Sequence, residues 1–304
     1  MLVDEPNATY FDAIANCYED YLALYPNKIP HVNLLPNYAS TFQLQADTYQ
    51  DYIDQFFEKS KPGYASFDFY PLNVGNKIVP DYFVNLEVFS TACRENNVPF
   101  GIYIQSCSFG SGVAIPTEAG MRWQAFNSLA FGATAIEYFT YRSVTTETEV
   151  WEDAMIGHDN EKTNLWYGAQ KVNKELASLA DAYMQYKHLG CWGVNMQNAP
   201  GHFYFSNQYT GFDALTNVTV SENKTVLMGG FVAKEGDNRA FVCVNANNPG
   251  EIRNPIDVTV QLAEGYTRVV LYQGGVATEI EADANGCVSF SLACGEGVFA
   301  EIEK

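Results

Sequence analysis

Basic residues are scarce in this chain: 17 Lys and Arg face 36 Asp and Glu, a formal charge of −19 over 304 residues. Such a field repels phosphate backbones, so nucleic acid is not expected as a partner and a neutral substrate is favoured over a polyanionic one. No apolar run approaches the ~18 residues that cross a bilayer, so no membrane partner is expected. Histidines are few and isolated (His31, His158, His188, His202), with neither HExxH nor paired spacing. Seven cysteines are scattered without a C-x-x-C. Neither pattern holds a zinc or redox centre, and no metal or cofactor is expected. Gly110-Ser111-Gly112 lacks the following glycine and helix start of a nucleotide fingerprint, and Ser106 and Ser108 lack a nucleophile elbow.

What is present is a repeat. Apolar runs ending in polar and aromatic residues close near Leu35 (IPHVNLLP), Tyr70 (YASFDFYP), Gln105 (PFGIYIQS) and Thr140 (ATAIEYFTY), and a shorter one, Met1-Leu2-Val3, precedes Asp4-Glu5-Pro6. Helix-compatible sequence fills the gaps. Apolar positions at helical spacing are expected over 7–25 (Asn7 as N-cap), 46–59, 81–97, 117–131 and 163–186. Strand, loop and helix repeated in this way form a parallel sheet, because each crossover must return along the sheet's face. The count of one stub and four strands falls short of the eight of a (β/α)8 barrel, so the chain is expected to open inside such an array. From about residue 190 the texture changes to short alternating runs (HFYFSNQ, KTVLMGGFVA, AFVCVNA, IDVTVQLA, TRVVLYQG, CVSFSLA) separated by Gly, Asn and Pro turns, which predicts an antiparallel sandwich. The expected division is residues 1–189 and 190–304.

In a parallel barrel, functional groups stand at the C-terminal ends of the strands. These ends carry Asp4 and Glu5, Asn33, Asp68 and Tyr70, Gln105, and Glu137, Tyr141 and Arg142. Asp68 lies between Phe67 and Phe69, where an acid costs desolvation unless it is paired or used; the bland alternative is an acid that ties down a loop. Two carboxyls across a barrel mouth would serve glycoside hydrolysis, one protonating the leaving oxygen and the other attacking or activating water. Burial and a like-charged neighbour keep the first protonated, and Asp4 offers Glu5 that neighbour.

The stretch AFGATAIEYFTYR…WEDAMIGHDNEKTNLWYGAQKVNKELASL resembles the last barrel unit of clan-A glycosidases, notably family 42 β-galactosidases, with Gly132, Ala133, Ile136, Tyr138, Phe139, Arg142, Asn173, Glu175 and Leu176 at matching places. The closing SFSLACGEGVFAEIEK resembles the end of the sandwich that terminates many such enzymes. The resemblance implies an α/β fold, a (β/α)8 barrel represented from strand four onward, followed by an all-β sandwich. It implies hydrolysis of O-glycosidic bonds in a neutral sugar or oligosaccharide, with Glu5 as general acid/base and Asp4 where the family carries Asn. The nucleophile would belong at the end of strand seven, where Gln105 cannot act as a carboxylate. Three readings stay open: another acid takes the second role, Asp68 first and Glu137 next; the protein binds sugar without cleaving it; or the chain is a partial gene product. For Glu137 a structural ion pair is the competing expectation. Asp4, Asn33, Tyr70, Gln105 and Tyr141 are expected to line the sugar pocket, Tyr141 in place of a platform Trp. Exposed strand edges of a partial barrel predict self-association.

Overall fold

The computed structural model describes residues 1–196, 205, 207–251 and 254–304. Its first part runs β1 (Val3–Asp4), α1 (Phe11–Leu24), β2 (Val32–Leu34), α2 (Thr41–Leu44), α3 (Tyr49–Ser60), β3 (Ala65–Asp68), β4 (Leu72–Asn73), β5 (Lys77–Ile78), α4 (Tyr82–Glu95), β6 (Phe100–Gln105), β7 (Ser108–Phe109), α5 (Glu118–Ala130), β8 (Ala135–Phe139), β9 (Val144–Thr145), β10 (Val150–Glu152) and α6 (Asn164–Tyr183). The second part is all β: β11 (Tyr186–Val194), β12 (Leu215–Val220), β13 (Val226–Ala233), β14 (Arg239–Asn245), β15 (Ile256–Leu262), β16 (Arg268–Gln273), β17 (Val276–Glu281), β18 (Cys287–Leu292) and β19 (Gly297–Glu303). The run expected at 202–208 lies largely outside the described residues.

Helix starts follow local chemistry. Thr48, Thr117 and Thr163 each accept a backbone N–H of the first turn of α3, α5 and α6, which satisfies donors that have no intrahelical partner. Asn7 caps a short 3-10 turn (Ala8–Tyr10) that leads into α1, accepting from the Thr9 N–H at 3.0 Å. Crossover by crossover, these helices return the chain so that the stub and the four apolar runs pair in the order β1-β2-β3-β6-β8, all parallel.

Alternation then divides the sheet into two faces. Val32, Leu34, Phe67, Ile102 and Ile104 point into the helical layer and are fully buried. The register Asp4–Asn33–Ser66 and Asp68–Tyr103–Glu137 sets the polar residues on the opposite face. Tyr64 lies across that face, and a Cβ on Gly101 would collide with its hydroxyl.

The C-terminal part is a two-layer β structure: a six-stranded sheet β11-β13-β14-β19-β16-β17 faces the three-stranded β12-β15-β18, with a core of Val258, Val260, Phe241, Val288 and Val298 between them. The 189/190 division falls inside β11. The other side of the six-stranded sheet packs on α5, and Leu227, Phe231, Val242 and Phe299 join the core of the first part. That contact is close enough to demand glycine. A Cβ on Gly229 would strike the Ala130 carbonyl, and one on Gly297 would lie 2.6 Å from Phe126. Helix α5 is therefore covered on nearly every side, burying even Gln124, Asn127 and Ser128.

Candidate active site

At the C-terminal end of the parallel sheet, Asp4 closes β1 and Glu5 follows in the left-handed region (φ 47°). A non-glycine residue held there is strained, and such strain persists only where the surroundings enforce it. Here the Glu5 N–H donates to the Asn33 carbonyl at 2.8 Å, and the Pro6 carbonyl that follows accepts from the buried Tyr52 hydroxyl at 2.6 Å. The backbone is pinned on both sides of Glu5.

Asn33, only 4% exposed at its strand end, divides its amide between two acids: Nδ2 donates to Asp4 Oδ1 at 3.1 Å and to Asp68 Oδ1 at 2.8 Å. Its own Oδ1 accepts from the Ser66 hydroxyl at 3.3 Å, which fixes the direction of the amide. Asp68 also accepts from the Tyr70 hydroxyl. Burial pushes the Asp68 carboxyl up to about 6, the Asn33 hydrogen bond opposes this, and the Asp4 charge adds to it. Glu5, although one side still meets solvent, is pushed up to about 7 by burial first, then by the charges of Asp68 and Asp4. Protonated Glu5 donates a hydrogen bond to Asp68, so the two carboxyls share a proton and resist ionising together.

A cleft of about 290 Å³ opens over this cluster, lined by Asp4, Glu5, Asn33, Asp68, Tyr70, Tyr103 and the side chains of the β7 and β10 hairpin region. Its wall is aromatic. Tyr70 meets Phe109 edge-on at 5.0 Å, and Phe139 lies 5.5 Å from Tyr70 and 5.1 Å from Trp151. The Trp151 indole N–H donates to Glu149 at 2.9 Å, and both residues face the cleft. An acid that holds its proton near neutrality beneath flat apolar rings can protonate a leaving oxygen of a ring-shaped neutral ligand.

The structure thus brings together Glu5, Asp68, Asp4, Asn33 and Tyr70 of the expected residues. It does not bring Gln105 or Tyr141. Gln105 is fully buried at the end of β6, its Oε1 accepting from the Leu72 N–H at 3.0 Å and its Nε2 donating to the Leu72 carbonyl at 2.9 Å and to the Ala114 carbonyl. With its amide spent on backbone, it fastens the segments around 72 and 114 and does not line the acidic cleft. Tyr141 is 60% exposed and stands outside the cleft. Glu137 takes hydroxyl hydrogen bonds from Tyr64 (3.1 Å) and Tyr103 in place of the expected ion pair. Phe109, Phe139, Glu149 and Trp151 were not anticipated in the pocket. A usable signal was the rare Trp, one of four, on the alternating Val150-Trp151-Glu152 in the segment between the last parallel strand and α6.

Residues 28–179 match the model of the family Glyco_hydro_42, whose description is β-galactosidase. The chain belongs to this glycoside hydrolase family. Among solved structures it is similar to the β-galactosidase of Bacillus circulans sp. alkalophilus, at 11% identity and a TM-score of 0.50, over 96% of this chain and 66% of that one. It is also similar to the β-galactosidase of the psychrophilic Marinomonas ef1 (16% identity, TM-score 0.46, 60% of this chain and 30% of that one). A third likeness is the β-galactosidase of the haloarchaeon Halorubrum lacusprofundi (16% identity, TM-score 0.40, 57% of this chain and 26% of that one). The chain therefore spans less than a third of the last two enzymes. No curated protein sequence matches the chain. Within the family, Asn33, Asp68, Tyr70, Gln105 and Tyr141 fall in the matched stretch, and Asp4 and Glu5 precede it.

Proposed function

We propose that the cleft is the acid side of a glycoside hydrolase site for a neutral, β-galactoside-like sugar, with Glu5 as proton donor. On this reading the five parallel strands are strands four to eight of a (β/α)8 barrel, residues 1–189 belong to the barrel domain and 190–304 to the appended sandwich. The observation that carries the proposal is the elevated proton affinity of Glu5, produced by burial and two neighbouring acids, at the floor of a cleft with an aromatic wall. Family membership supports the reaction class, and Trp151, Phe109 and Phe139 supply faces on which a sugar ring stacks.

Asp68 takes a different part from the one expected of a second carboxylate. Paired carboxyls that bracket a glycosidic bond stand roughly 5–5.5 Å apart in retaining and 6.5–9.5 Å in inverting enzymes. A hydrogen bond between Asp68 and Glu5 is a closer pairing than either separation. Asp68 instead adds to the burial that raises the proton affinity of Glu5, with Asn33 holding its orientation.

The same observation, together with Gln105 turned into backbone, favours one second reading: the site binds sugar without cleaving it. Nitrophenyl β-galactoside hydrolysis and calorimetric galactose binding, run on the wild type and Glu5→Gln, separate the two. The first reading expects measurable turnover that falls by about 10²-fold or more in Glu5→Gln while binding persists. Binding with no turnover in either protein establishes the second, and neither turnover nor binding contradicts both.

A further inference from the structure

At the end of the sheet opposite the acidic cleft, the balance of charge reverses. A cavity of about 510 Å³ lies there, beneath Phe100 at the start of β6 and Thr134 before β8, and is closed by the first residues of β11 and by Lys234 after β13. Arg94, Lys187 and Lys234 line it, and no Asp or Glu does, in a chain where acids outnumber bases 36 to 17.

All three cations are exposed, and among the described residues none has a carboxylate within 4.0 Å. The Arg94 guanidinium donates only to Thr91 Oγ1, at 3.3 Å. Two nearby acids are occupied elsewhere. Glu301 accepts from the hydroxyls of Tyr186 and Tyr272, both at 2.9 Å, and Glu87, in the adjoining depression, accepts from the Asn207 N–H. The apolar lining that meets the cavity comes from Val98, Pro99 and Met184, over the buried Phe100 and Phe131. One wall is held by the imidazole of His188, whose Nδ1 lies 3.3 Å from Ser90 Oγ. It packs against Gly132 (φ 90°), where a Cβ would come within 2.6 Å of the His188 Cβ.

We propose that this cavity binds a small phosphate monoester carrying a flat apolar body. Three unpaired cations at one mouth exceed the charge of a single carboxylate and suit a dianion, while the apolar lining of Val98, Pro99 and Met184 takes the body. Nothing in this site depends on the sugar cleft at the other end of the strands.

Calorimetric titration of the full chain at low ionic strength and two temperatures tests it, with phenyl phosphate as the probe and benzoate and inorganic phosphate as comparisons. Phenyl phosphate is expected to bind saturably at one site, about tenfold or more tighter than either comparison. Replacing all three cations (Arg94→Gln, Lys187→Gln, Lys234→Gln) is expected to weaken it by about tenfold or more. A variant that removes the same charge elsewhere (Lys28→Gln, Lys77→Gln, Lys174→Gln) is expected to retain it. All six side chains are exposed, and thermal melts verify that both variants fold. No saturable binding of phenyl phosphate, equal affinity for a comparison anion, or equal loss in the two variants overturns the proposal.

Discussion

Three acids meet at one end of the parallel sheet, and the residue that holds two of them is neutral. Asn33 spends its amide on Asp4 and Asp68 together, so Asn33→Ala removes a donor from each and leaves Asp68 held by the Tyr70 hydroxyl. A buried acceptor left unpaired costs about 1–3 kcal/mol. We expect Asn33→Ala to lower the melting temperature, measurably by calorimetry, and more at pH 8 than at pH 5, because ionised acids need the donor most. Glu5 gives a second pH signature of defined sign. Its folded value of about 7 lies above the ordinary 4.5, so between those limits the folded state binds more protons than the unfolded chain. Stability from this group is therefore present below 4.5 and is lost as pH rises through 7. Glu5→Gln should melt higher than wild type at pH 8, with the difference vanishing near pH 4. Composition and strand-end position made Asp4, Glu5, Asn33, Asp68 and Tyr70 readable as a group. The contact between Glu5 and Asp68 was not readable, because it depends on φ 47° at Glu5, and nothing in a glutamate before proline announces a left-handed backbone. Gln105 failed for a related reason: its position on the strand was right, but which loop would compete for its amide is a tertiary fact.

Among the elements, the helices were the most legible. Apolar stripes placed α3, α5 and α6 close to their observed bounds. What periodicity could not give was the second coat around α5. Its moderately polar face (Gln124, Asn127, Ser128) reads as solvent-facing, yet the six-stranded sheet buries it, and only the spacing of Gly229, Gly295 and Gly297 hints at so close an approach. Gly229→Ala forces the sheet off the Ala130 carbonyl, and overpacking of this kind costs typically 1–3 kcal/mol. Chemical denaturation should show that loss in the midpoint with little change in slope, whereas Gly236→Ala, in an open turn with nothing near its Cβ, should lose only the smaller penalty of its left-handed backbone.

For the molecule as a whole, the shared core between the two parts predicts one cooperative unfolding transition. Leu227, Phe231, Val242 and Phe299 belong to the same cluster as Phe67 and Ile102, so neither part can melt without exposing the other's apolar surface. Scanning calorimetry should show a single endotherm; two separated ones would contradict the account. The parallel sheet has two unpaired edges, β1 and β8, and Met1, Leu2 and Val3 are exposed beside one of them. We expect self-association in sedimentation that grows with salt, as screening removes the repulsion of a −19 chain; a monodisperse monomer at all ionic strengths would refute it.

The central claim is that Glu5 keeps a proton near neutrality because burial, and after it the charges of Asp68 and Asp4, disfavour its ionised form. Its most direct test is the carbon-13 chemical shift of the Glu5 carboxyl, followed by pH titration in the wild type and in Asp68→Asn. The account predicts a wild-type midpoint near 7 that falls when the Asp68 charge is removed but stays above 4.5, because burial and Asp4 remain. A midpoint near 4.5 in both proteins would contradict it.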